Sequence, residues 1–146
     1  MYKYILLLHI LGATIWTGGH IVLATCILPD ALRNKDVESI NKFESKFELL
    51  GIPALIIQIL TGLWLIHNFL PDVNQWLSGQ NIISTLTIIK LSLLLITVIL
   101  ALDSRLRIIP NLNRDNLKSL GYHIIAVTII SILFVAVGVG LRVGGF

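Results

Sequence analysis

Four stretches of the chain stay apolar over lengths that suit a membrane crossing. They run Lys3–Leu28, Gly51–Leu70, Ile82–Ala101 (with an extension towards Leu106) and Leu120–Leu141. A hydrocarbon core needs about 20 residues of helix, and each stretch supplies that. Each is predicted to be helical, because lipid offers no partner for exposed backbone donors and acceptors. Proline punctuates the pattern. Pro29 is expected to end the first helix, Pro53 to sit in the first turn of the second, and Pro71 to stop it. Pro110 and the Asn-rich run Asn111–Asn116 mark the turn before the fourth. The stretch Leu23-Ala24-Thr25-Cys26 looks like a lipoprotein cleavage box. Yet the apolar run around it is longer than the ~7–15 residues of a signal h-region, so an uncleaved helix is expected.

The polar positions fall between these stretches. Nearly half the charges lie in Asp30–Glu48, where Leu32, Val37, Ile40, Phe43, Phe47 and Leu50 recur near helical spacing. That pattern predicts an amphipathic cytoplasmic helix on the membrane surface between helices one and two. Arg33, Lys35, Lys42 and Lys46 fall in the first connection, and Arg105, Arg107, Arg114 and Lys118 in the third. The second, Pro71–Asn81, has no basic residue. The positive-inside rule therefore places connections one and three in the cytoplasm, with both termini and the Trp76 loop outside.

Composition agrees with the pattern. Of 146 residues, 55% are apolar and 13% charged, and mean hydropathy is +0.88, whereas soluble domains carry about 25% charge. The expected architecture is one all-α domain over residues 1–146, an up-and-down four-helix bundle in a bacterial-type inner (plasma) membrane. The net charge of +3 is too small and too scattered for a nucleic-acid surface. One cysteine, Cys26, excludes an internal disulfide.

His9, His20, His67 and His123 are the only histidines, and all fall inside or at the edge of a predicted span. Ionisable groups in lipid are costly and tend to be functional. Eleven residues separate His9 from His20, close to three turns of ~3.6 residues, so the two share a helix face about 16 Å apart. Alternating topology puts His67 at the level of His9 and His123 at the level of His20. Facing imidazoles from two helices can ligate a haem iron. The expectation is one or two haem b groups with bis-histidine ligation, a pair near each membrane face. Gly12, Ala13, Gly19, Gly62 and Gly121, with Trp16 beside them, are candidates for the slot, although membrane helix packing selects glycine as well. Copper is the competing metal, with His9, His20 and Cys26 as its contacts.

Lys90 lies about 12 Å along the third helix. It either snorkels to the surface or serves as a candidate catalytic or binding cation for a haem propionate or anionic substrate. Asp103 and Arg107, four residues apart, are expected to form an ion pair. Tyr2, Tyr4, Trp64, Trp76 and Tyr122 suit interfacial anchoring.

The run Leu8-His9-Ile10-Leu11-Gly12-Ala13-Thr14-Ile15-Trp16-Thr17-Gly18-Gly19-His20, followed by Leu28-Pro29, resembles the first helix of the copper-resistance protein D (CopD) membrane-domain family. Phe43–Phe47 and Leu60-Thr61-Gly62-Leu63-Trp64-Leu65 resemble its second helix, and Lys90 matches a lysine of the related HemJ-type protoporphyrinogen oxidases. The resemblance implies copper import or resistance on one side, and haem b binding with porphyrin oxidation on the other. It also implies a haem-ligand role for His9. Asp30 departs from the HemJ pattern, which has Arg after Leu-Pro.

Together these readings lead to a membrane b-type cytochrome, a haem-dependent oxidoreductase or electron carrier. It would pass electrons between a quinone or other redox partner and a small oxidant. The lipid bilayer is its surroundings, and a homodimer is compatible with its apolar surface. A copper-handling protein and a structural membrane subunit are the alternatives.

Overall fold

The computed structural model describes residues 1–145. Its elements are α1 (Tyr2–Val22), α2 (Leu28–Asn34), α3 (Val37–Phe69), α4 (Ile82–Asp103) and α5 (Leu117–Val143). A π turn, Leu23–Ile27, joins α1 to α2 in one rod, and a second, Ser104–Ile108, prolongs α4. The result is four long apolar helices able to span a membrane: Tyr2–Asn34, Val37–Phe69, Ile82–Asn111 and Leu117–Val143. The all-α, four-span architecture expected from the sequence is the one observed.

Two expectations about helix ends require correction. Pro29 does not end the first helix, which continues to Asn34, whereas Pro110, in a 3-10 turn that ends at Asn111, does stand just before the turn into the fourth span. Each proline follows a π turn, with the Leu28 N–H bonding to the Leu23 carbonyl and that of Ile109 to Ser104. A proline ring clashes with the carbonyl four residues back and donates no hydrogen bond. The wider π turn just before it makes room for the ring without stopping the helix. Pro53 likewise lies inside α3, rather than in its first turn.

The amphipathic segment is also placed differently. Its start, Asp30–Asn34, ends α2, and Val37–Glu48 opens α3, which runs unbroken for 33 residues, so no separate helix lies between the first two spans. Thirty-three residues span about 50 Å, against a hydrocarbon core of about 30 Å. The first two spans therefore overshoot, and their surplus packs at the end of the bundle opposite the termini. There Leu23, Leu28, Ala31, Ile40, Ile108, Leu117, Leu120 and Ile124 form a buried core, with Leu32 and Phe43 packed against it. The apolar stripe of Asp30–Glu48 faces this core. Leu50, at its end, points out.

The hairpin from α2 to α3 closes in two residues. Lys35 takes the left-handed conformation with φ 52°, and the Asp36 carboxylate caps α3 by accepting from the Ser39 N–H at 3.1 Å. At the other end, Asn81 caps α4 through the Ser84 N–H at 2.8 Å.

The helices pack in the spatial order α3, α1, α5, α4. Although they follow one another in the chain, α3 and α4 scarcely touch. The bundle is thus open along one side.

Candidate functional site

The face of α1 turned to α3 carries His9, Gly12, Trp16 and Gly19, positions three or four residues apart. A Cβ on Gly12 would stand 3.0 Å from the Ala54 carbonyl oxygen and from Gln58 Cγ, and one on Gly19 would stand 2.1 Å from the Phe47 ring. These two glycines therefore admit α3 itself, as close-packed membrane helices require. They do not leave the empty slot expected for a macrocycle. Gly121 is filled in the same way, with Leu28 and Leu32 at 3.4 and 3.7 Å from its Cβ position.

Gly62 is different. Its missing Cβ would lie 3.2 Å from His9 Cε1, so this glycine makes room for an imidazole. His9 Nδ1 lies 2.9 Å from Thr61 Oγ1, and the Thr61 hydroxyl stands 2.5 Å from the Ile57 carbonyl and 3.3 Å from that of Gln58. A hydroxyl has one proton, and the shorter contact takes it. Thr61 therefore accepts from His9, whose proton sits on Nδ1. The lone pair is then on Nε2, and the Gln58 backbone carbonyl also lies close to the ring.

His9 lines a cavity of about 590 Å³ bounded by all four spans. Its walls at the termini end carry His9, Lys90 and Arg142, while Trp16, Leu55, Leu94 and Phe134 line the deeper part. No carboxylate of the described residues lines it. Lys90 and Arg142 share this wall with His9, and neither forms a salt bridge among the described residues. The Arg142 guanidinium lies 5.3 Å above the centre of the Tyr2 ring, which tilts against Trp64 at 6.2 Å. Sequence reasoning placed Lys90 here but missed Arg142 and Thr61. The level of Arg142 at the end of the fourth span was the available signal for it.

Neither expected histidine pair is formed. His67 is exposed and does not line the cavity. It stands six residues, about 9 Å, further along α3 than Thr61, the partner of His9, and it also differs in direction. Six residues beyond Thr61, at about 100° each, turn the side chain roughly 240° around α3 and away from α1. His20 gives its Nδ1 to the Trp16 carbonyl at 2.9 Å and packs between Trp16 and Phe47, at 4.4 and 5.6 Å between ring centres. His123 turns instead to α4. Its Nε2 lies 2.7 Å from Asp103 Oδ2 and its Nδ1 3.0 Å from the Ser119 carbonyl. Both nitrogens thus face oxygen atoms of the chain. The expected Asp103–Arg107 pair is present and bidentate, with two contacts of 2.7 Å. Arg105 pairs with Glu48 across to α3.

The copper contacts are not assembled either. Cys26 is exposed on the first π turn, 3.5 Å from Thr25 Oγ1. Among the described residues no three His, Cys, Asp or Glu side chains gather into a metal-holding group.

Residues 3–137 match the model of a family described as "Predicted integral membrane protein (DUF2269)". Neither the curated proteins nor the solved structures contain a match. The match covers nearly the whole chain, and the protein belongs to this family of integral membrane proteins.

Proposed function

For this DUF2269 membrane protein we propose a b-type cytochrome function, with one haem held on His9 and electrons passed between a quinone-class carrier and a small oxidant. One observation carries the reading. The His9 ring is fixed through Nδ1 by Thr61, leaving the Nε2 lone pair available on the wall of a large intramembrane cavity. That is how metal-ligating histidines are held, with the second nitrogen donating to an outer partner that sets tautomer and ring direction. The volume of about 590 Å³ falls within the ~300–1,000 Å³ of small-molecule and cofactor sites, and imidazole suits iron.

When bound, haem would supply one-electron chemistry. The chain's own part is to hold the imidazole, to exclude water with apolar walls, and to offset negative charge with Lys90 and Arg142. A single histidine lines the cavity, which favours one haem over two and leaves bis-histidine ligation without support. The motif resemblance to HemJ-type and CopD-like proteins supports haem or copper on this helix.

The test is a reduced-minus-oxidised spectrum with pyridine extraction, on protein purified in detergent from cells with ample haem supply. A haem-to-protein ratio of one, lost in His9→Ala and kept in His67→Ala and His123→Ala, is the expected result. No Soret band in the wild type would overturn the reading. Stoichiometric copper without iron would turn it towards copper handling.

A further inference from the structure

We infer that Lys90 and Arg142 form an anion-binding subsite at the termini end of the cavity, which takes the carboxylate or phosphate of an amphipathic ligand whose apolar body lies between α3 and α4. The subsite shares its cavity with the haem reading but does not depend on it.

Burying charge without a partner in an apolar setting is expensive. Here the half-buried Lys90 and the rim residue Arg142 line one cavity, in which no carboxylate of the described residues appears, and neither is in a salt bridge of the described residues. Lys90 is half-buried, with Nζ 3.5 Å from the Cβ position of Gly138. A side chain at residue 138 would take the space beside the ammonium. Arg142, exposed at the rim, is placed by the Tyr2 ring, an attraction that leaves its five donors available.

The rest of the cavity sets the shape of the molecule that brings one. Beyond the basic groups the walls become Leu55, Leu91, Leu94 and Phe134. The open side between α3 and α4 gives an apolar chain or ring a path from the bilayer. The ligand class is thus an acidic amphiphile, head towards the termini and body inward. A porphyrin carboxylate and a lipid acid share this chemistry.

The two sources are separated with paired acid and ester probes on the full chain. Haemin and haemin dimethyl ester are titrated into detergent-solubilised apoprotein and followed by the Soret band. Dibrominated stearic acid and its methyl ester are added to nanodiscs holding a Trp64→Phe, Trp76→Phe form. There, quenching reports contact with Trp16 in the cavity wall. The wild type should prefer acid over ester by about tenfold or more, as expected for hydrogen bonds between charged groups. Lys90→Gln with Arg142→Gln should erase the preference, and Lys90→Arg with Arg142→Lys should restore it, which a folding defect would not do.

If haemin fails to bind but the fatty acid is preferred to its ester, the subsite stands and the haem reading falls. If haemin binds no better than its diester and the fatty acid shows no preference, the subsite falls and the haem reading stands. A preference that survives the double glutamine form also overturns the subsite.

Discussion

Gly18 and Gly19 are neighbours in one helix, yet substitution by alanine should act in opposite directions. A Cβ on Gly18 meets nothing within 4 Å, whereas one on Gly19 would stand 2.1 Å from Phe47 Cε2 and 2.2 Å from Cζ. The Phe47 ring has little freedom to yield. It stacks on Phe43 at 5.5 Å, meets His20 edge-on at 5.6 Å and lies 6.4 Å from Trp16. Overpacking of this kind costs about 1–3 kcal/mol. Both substitutions gain the same helix propensity, about 0.5–1 kcal/mol, so their difference isolates the clash. Gly19→Ala should therefore be less stable than Gly18→Ala by about 1–3 kcal/mol. At roughly 2–4 °C per kcal/mol for a chain of this size, thermal unfolding in detergent resolves it. Repeating the pair in a Phe47→Ala background should remove the difference. Equal stability of the two alanine forms in the wild-type background would refute the close approach of α1 and α3 at this point.

Four further outcomes follow from the same geometry. Thr61→Val removes the acceptor of His9 Nδ1 and should weaken haem retention about 10–100-fold, as lost outer partners of metal-bound histidines do; unchanged retention on dilution would exclude Thr61 as the orienting group. Asp103→Asn and His123→Gln, combined in a double-mutant cycle, should be non-additive, each costing less once the other is made, because the two side chains meet directly at 2.7 Å; additivity in denaturant titrations would show that the contact contributes nothing. Loss of the α4 cap in Asn81→Ala should cost about 0.5–2 kcal/mol, and a melting temperature equal to the wild type would refute the capping role. On a Cys26→Ser background, Gln75→Cys and Asn113→Cys, both exposed, should label from opposite faces of sealed vesicles with an impermeant maleimide, Asn113→Cys from the cytoplasmic side; labelling from one face would refute the alternating topology.

The spans were legible because a long apolar run admits few structures in lipid. Their ends were not, and Pro29 shows why. The rule that proline stops a helix assumes an α-helical turn before it. A π turn from Leu23 to Ile27 removes that assumption and leaves no mark in residue composition. The stripe Leu32, Ile40, Phe43 was also read correctly as amphipathic. Its periodicity says that one side is buried, but not whether the bundle's own core or a membrane surface covers it. Ile40, fully buried in one cluster with Leu28 and Leu117, belongs to the core.

The histidines separate two kinds of sequence information. The spacing of His9 and His20 gives direction within one helix, and in the structure both rings do turn towards α3. Matching His9 with His67 used only depth, which alternating topology supplies without any rotation about the helix axis. His67 differs from the residues that face His9 in both respects: Thr61 and Gly62 lie six and five residues before it, about 8–9 Å along α3 and on another side of the helix. The same reasoning explains the cavity. Lys90 and Arg142 come from different helices with no shared motif, and they meet because α5 packs on both α1 and α4 while α3 and α4 stay apart. A site made by that spatial order is set by long-range packing, so it cannot be read from any single helix. The charges that define it were visible from the start as cations with no acidic residue near them in the sequence of either span.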